Sequence, residues 1–132
     1  VADLDNVEFR RAAPPGPQLY GHTRVLLVPY RIDNRPRVIA EAQANGIPVI
    51  AGDVPALVEA IGEGGLVAGL DDIDAWCAAL QSLWTDAAEY DARSNAATAH
   101  SMRAEIDPGH VARTFEELVV GLLETHESSA QT

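Results

Sequence analysis

Residues Arg24–Ala51 read RVLLVPYRIDNRPRVIAEAQANGIPVIA, a strand, a loop, a helix, a tight turn and a second strand. Val25–Val28 is a short β-branched and apolar run of the kind a strand buried on both faces needs. Tyr30–Arg35 is polar and carries the charges of Arg31, Asp33 and Arg35. Pro36 suits the first turn of a helix, where its missing N–H costs nothing. Val38, Ile39 and Ala42 then recur at helical spacing, and Asn45-Gly46 supplies a left-handed stop. Pro48–Ala51 resumes as a second buried strand. The unit is a βαβ with parallel strands. Ligands of open α/β sheets gather beyond the carboxyl ends of the strands, which makes Arg31, Asp33, Asn34, Arg35 and Arg37 the first candidate site residues.

Outward from this unit, strands and helices continue to alternate. Pro55–Ile61 is a short helix with Leu57, Val58 and Ile61 on one face, and Leu66–Ala68 is a brief strand after a glycine turn. Asp71-Asp72 opens a helix, where carboxylates suit the dipole. That helix, Ile73–Thr85, sets Ile73, Trp76, Leu80, Leu83 and Trp84 on one stripe. Ala87–Met102 is an alanine-rich helix. Asp107-Pro108 starts a last one, with Val111, Phe115, Leu118, Val119, Leu122 and Leu123 on an apolar face. Upstream, Gln18–His22 suggests a single helical turn and Val7–Phe9 a strand edge. The pattern predicts an α/β domain with a mostly parallel sheet. Only about four strands can be counted, against the five or six of a usual sheet.

Composition narrows the function. The 132 residues fit one domain or part of one, 47% are hydrophobic, and the net charge is −11. That charge argues against nucleic acid as the main partner. All nine basic residues are arginine, and six of them fall within the first 37 positions. Arginine's rigid donor fork suits phosphate oxygens, so a small phosphorylated ligand is compatible with an acidic whole. On charge alone, a solvated loop whose arginines offset nearby carboxylates is the favoured reading. A lone cysteine, Cys77, suits a reducing compartment, and no apolar run is long enough to span a bilayer. The expectation is a soluble, cytoplasmic protein with no transmembrane segment.

Pro29, Asp33, Glu41-Ala42, Gly46-Ile-Pro-Val-Ile-Ala51, Val54-Pro-Ala-Leu-Val-Glu59 and Gly64-Gly-Leu-Val67 together resemble the donor-binding half of family-4-type retaining glycosyltransferases, enzymes built from two Rossmann domains in the GT-B architecture. The resemblance runs from about Asn6 to the end. It implies a partial Rossmann-like sheet in residues 1–132, the C-terminal nucleotide-sugar-binding domain, with upstream strands and the N-terminal acceptor domain absent. By the same resemblance Glu41 accepts the ribose hydroxyls of a nucleoside diphosphate sugar. It stands about 7.5 Å up the helix from Pro36, the scale of the step from a diphosphate to its ribose. Asp33 occupies the position of the family's first Glu, beside the transferred sugar, and is the implied catalytic residue. Arg31, Asn34, Arg35 and Arg37 would meet the donor phosphates, together with the helix N-terminus. The family generally works without bound metal, so no cofactor is implied beyond the donor substrate itself.

Two departures stand out. Asn34-Arg35-Pro36 replaces the family's glycine-rich loop, and Pro36 removes a backbone donor. The family's basic pair, an Arg and a Lys on earlier strands, has no counterpart in a chain without lysine. The expectation is therefore part of a larger enzyme, inactive alone and prone to self-association, with the last helix crossing toward the missing domain. A non-catalytic or degenerate α/β module used for partner binding is the alternative. Among other residues, Cys77, Trp76 and Trp84 are expected in the core, and Glu59 at a helix start. His22, His100, His110 and His126 lack metal-ligand spacing.

Overall fold

The computed structural model describes residues 4–8, 17–32, 36–103, 105 and 107–130. A one-turn helix α1 (Pro17–Tyr20) leads into strand β1 (Leu26–Val28), helix α2 (Arg37–Ala44), strand β2 (Val49–Gly52) and helix α3 (Pro55–Ile61). A 3₁₀ turn at Gly62–Gly64 precedes strand β3 (Gly65–Ala68). Helices α4 (Ile73–Thr85), α5 (Ala87–Ser101) and α6 (Pro108–Ala130) complete the chain.

The three strands form a parallel sheet in the order β1-β2-β3, with Leu26 opposite Val49 and Val49 opposite Gly65. Each crossover carries a helix, as parallel pairing requires. Alternation along the strands sorts the core into two layers. Val28, Val49 and Ala51 pack with Tyr20, Ile39, Ala42, Leu57 and Ile61 under α2 and α3. Ile50, Leu66 and Ala68 face Trp76, Ala79, Leu80 and Leu83 of α4. The α/β architecture expected from the sequence is present, and β2 is buried throughout because helices cover both of its faces.

The βαβ unit closes as its turn chemistry demands. Gly46 adopts φ +66°, the left-handed conformation that glycine reaches without strain. Ser94 of α5 donates its hydroxyl to the Gly46 carbonyl at 2.6 Å. Pro36 stands at the N-cap of α2, one position before the first helical residue. Gln43 is the one fully buried polar side chain among the described residues, and its Nε2 donates to the Ile61 carbonyl at 2.8 Å. That bond satisfies a carbonyl in the last turn of α3, which the helix itself leaves without a partner. Asp72 and Asp86 cap α4 and α5 by accepting from Ala75 N and from Ala88 N and Glu89 N. Asp107 does the same for α6 through His110 N.

Several expectations need correction. Val7 and Glu8 belong to no strand, and Phe9 lies outside the described residues. Cys77 is exposed, not core, and so are Ile73 and Trp84. The cause is the narrow sheet. α4 packs mainly over β2 and β3, so Leu83 is the fully buried residue of its stripe while Trp76 and Leu80 are half-buried. Leu27 shares that sheet face, opposite Ile50, and remains 46% exposed. Trp84 instead lies beside the Arg24 guanidinium, 5.6 Å from its ring centroid, and Tyr90 lies under the same cation at 4.0 Å. Every described side chain from Asp107 to Leu123 is exposed, including the whole apolar face expected on α6. Among the described residues no helix is long and apolar enough to cross a membrane.

Candidate functional site

The carboxyl ends of the three strands deliver Pro29–Ile32, Asp53 and Gly69–Asp72 to one end of the sheet. The chain there is tightly drawn together: a Cβ at Gly52 would meet Leu70 Cδ2 at 2.5 Å and the Tyr30 carbonyl oxygen at 3.4 Å. α2 rises from this end, with Arg37 as its first residue and Glu41 one turn later.

Glu41, which the resemblance assigns to the ribose, lies on α2 four residues after Arg37. Its side chain is 38% exposed, open enough to receive a ligand yet not loose. Tyr20 donates its hydroxyl to Glu41 Oε2 at 2.6 Å, while Arg37 lies 3.8 Å from Oε1 across one helical turn. The Arg37 contact is a solvent-exposed i,i+4 pair and contributes little energy. The Tyr20 contact is different, because the donor comes from a residue of the buried core.

Burial, followed by the hydrogen bond to Glu41 and the negative charge it carries, pushes the Tyr20 hydroxyl from an ordinary value near 10 up to about 12. Folding therefore favours the protonated phenol. The associated stability is complete below pH 10 and is lost as pH rises from 10 toward 12. Denaturant midpoints measured across that window are expected to fall more steeply for the wild type than for Tyr20→Phe, and Tyr20 is expected to ionise late in a tyrosinate absorbance titration.

Arg31, just beyond β1, donates both terminal nitrogens to the Asp71 carboxylate, which follows β3. Each charge stabilises the other, so the Asp71 carboxyl is held below its usual range and the guanidinium above its own. The hydrogen bond is the larger cause in both, ahead of the simple charge attraction. Both partners are well exposed, so the bridge spans the strand ends without being strong. Asp33, Asn34 and Arg35 lie outside the described residues. The structure thus brings Arg31, Arg37 and Glu41 to one end of the sheet. Sequence reasoning missed Tyr20 and the pairing role of Asp71. Twenty-one positions separate Tyr20 from Glu41, and no periodicity connects a four-residue helix to a glutamate on another element. Asp71 was legible only as a carboxylate near a helix start, a role that Asp72 performs.

The other site expectations resolve locally. Glu59 sits in the middle of α3 and is exposed. Among the described residues no three His, Cys, Asp or Glu side chains converge as a metal site. Two open grooves lie along α6, one lined by Arg113, Glu116 and Val120 and the other by His110, Phe115 and Leu118. Neither includes a residue from the strand ends, and their shape reflects the exposed helix more than any gathering of polar groups.

Known proteins resemble this chain in sequence and in fold. Residues 1–86 match the model of the family described as glycosyl transferases group 1. Over 71 residues the chain is 39% identical to O-antigen chain mannosyltransferase B of Escherichia coli, an alignment covering 53% of this chain and 19% of that protein. The sucrose-phosphate synthase of Thermosynechococcus elongatus superposes with a TM-score of 0.70 and 26% identity, over 81% of this chain and 27% of that one. The chain therefore spans less than a third of either relative. Its parallel sheet, flanking helices and matched sequence are those of a GT-B Rossmann-like fold, and the chain belongs to the group 1 glycosyltransferases.

Proposed function

We propose that this chain forms the donor side of a retaining glycosyltransferase, holding a nucleoside diphosphate sugar at the carboxyl end of its sheet. Glu41 accepts the ribose hydroxyls. Arg37, with Arg31, Asn34 and Arg35, meets the diphosphate, and Asp33 sits beside the transferred sugar. The observation that carries the reading is the Glu41 carboxylate, part-exposed on α2 one turn from Arg37 and fixed by a buried donor. In this reading Arg31 exchanges Asp71 for a phosphate oxygen, a small cost because the existing pair is exposed. Departing phosphate charge is stabilised by arginines and by the start of α2. Transfer to an acceptor hydroxyl then takes place in a cleft shared with a second Rossmann domain, toward which α6 presents its apolar face. The name of the Escherichia coli relative supports sugar transfer as the class of reaction.

Calorimetry on the full-length protein with UDP, GDP and ADP tests this. One nucleotide is expected to bind, and Glu41→Ala is expected to weaken it by about 1.5–3 kcal/mol, the size of a lost hydrogen bond to a charged group. A second reading, a non-catalytic module used for partner binding, draws on Pro36, which removes a backbone donor at the entry to α2. Failure of all three nucleotides to bind would decide for the module.

A further inference from the structure

We propose that Tyr20 is a positioning residue for nucleotide binding: its hydroxyl fixes the Glu41 carboxylate in the orientation that accepts the cis-diol of a ribose. The inference rests on the donor-site reading above and assigns a role to a residue outside the strand-end loops.

Its physical basis is the contrast between the two partners. Tyr20 is 6% exposed, and its ring belongs to the cluster of Val28, Ile39, Ala42 and Leu57. The turn carrying it is closed by Thr23, whose N–H donates to the Tyr20 carbonyl at 3.1 Å and whose hydroxyl donates to the Leu19 carbonyl at 2.7 Å. A ring so held aims its O–H in one direction. Glu41, by contrast, has a long side chain that would sample several rotamers if it were unrestrained. The 2.6 Å bond from the phenol to Oε2 selects one of them. An ionised carboxylate offers about four lone-pair sites. Tyr20 uses one, which leaves Oε1 and the second lone pair of Oε2 for the two donors of a diol. A carboxylate already ordered before the ligand arrives spares the ordering cost of binding. The phenol donates to the carboxylate, and the ionised carboxylate only accepts, which keeps it an acceptor for the ribose protons.

The test uses the full-length protein and the nucleoside diphosphate among UDP, GDP and ADP that binds it, together with the 2′-deoxy and 3′-deoxy forms of that nucleotide. Dissociation constants are measured for wild type, Tyr20→Phe, Glu41→Gln and the double variant. Tyr20→Phe keeps the ring in the core and removes only the hydroxyl, and thermal unfolding verifies that each variant is folded. Tyr20→Phe is expected to weaken the ribonucleotide by about fivefold to tenfold while changing the deoxy forms less than about twofold. The double variant is expected to be no weaker than Glu41→Gln. A Tyr20→Phe protein that retains the full preference for ribose, beside a Glu41→Gln protein that has lost it, overturns the inference and leaves the donor-site reading intact. A Glu41→Gln protein that also retains the preference overturns both.

Discussion

Gly65→Ala is expected to cost the domain about 3 kcal/mol or more, or to prevent its folding. The reason is proximity. A Cβ at Gly65 would lie 2.2 Å from the Val49 carbonyl oxygen and 3.1 Å from the Val49 carbonyl carbon. Val49 is the register partner of Gly65, and it sits fully buried in the central strand between β1 and β3. No side chain can swing aside, because the obstructing atoms are backbone. Relief requires β3 to move away from β2, which breaks the ladder from its first pair. Gly65 itself is extended, at φ −161°, so left-handed geometry is not the issue. Gly121→Ala is the matched control: it has open space around it in α6 and is expected to gain up to about 1 kcal/mol from helix propensity. Urea unfolding checks both, read as opposite shifts in midpoint at unchanged slope.

The second large effect is Leu83→Ala, expected to cost about 2–5 kcal/mol. Leu83 is completely buried with Ile50 and Ala68, the other enclosed members of this layer among the described residues. Three buried residues are few to hold a helix of 13 residues on a sheet, so a cavity at Leu83 removes much of what docks α4. The adjacent Trp84→Ala deletes a larger side chain yet is expected to cost less than about 1 kcal/mol. Trp84 is 62% exposed and lies beside the Arg24 cation. Denaturant titration of the two variants side by side separates burial from size.

The contrast between Leu83 and Trp84 also marks how far the sequence could be read. Both lie on the same helical stripe, and periodicity assigns them alike. What distinguishes them is the width of the sheet beneath, a tertiary quantity. The βαβ unit was legible because its evidence is local: β-branched runs, Pro36 at the helix entry and Gly46 at the exit. The apolar face of α6 was legible for the same reason, from spacing alone. Glu41 was singled out through its surrounding motif, while its partner Tyr20 was not, since their contact depends on how α1 packs beneath α2. Arg31 was read as a phosphate ligand by its position after a strand. Its engagement with Asp71 joins two loops 40 residues apart, beyond any local signal.

The buried amide of Gln43 has a consequence for how the molecule opens. By holding the end of α3 from within α2, it removes the option of either helix fraying while the other stays in place. Amide hydrogens in the middle of α2, β2 and α3 should therefore exchange with solvent as one cooperative unit, at rates set by a shared opening event. Those of α6, where every described side chain through Leu123 faces solvent, should exchange first and independently. The platform that presents Glu41 is thus built to keep its shape through local fluctuations, and the helix beyond it is free to respond to whatever it meets.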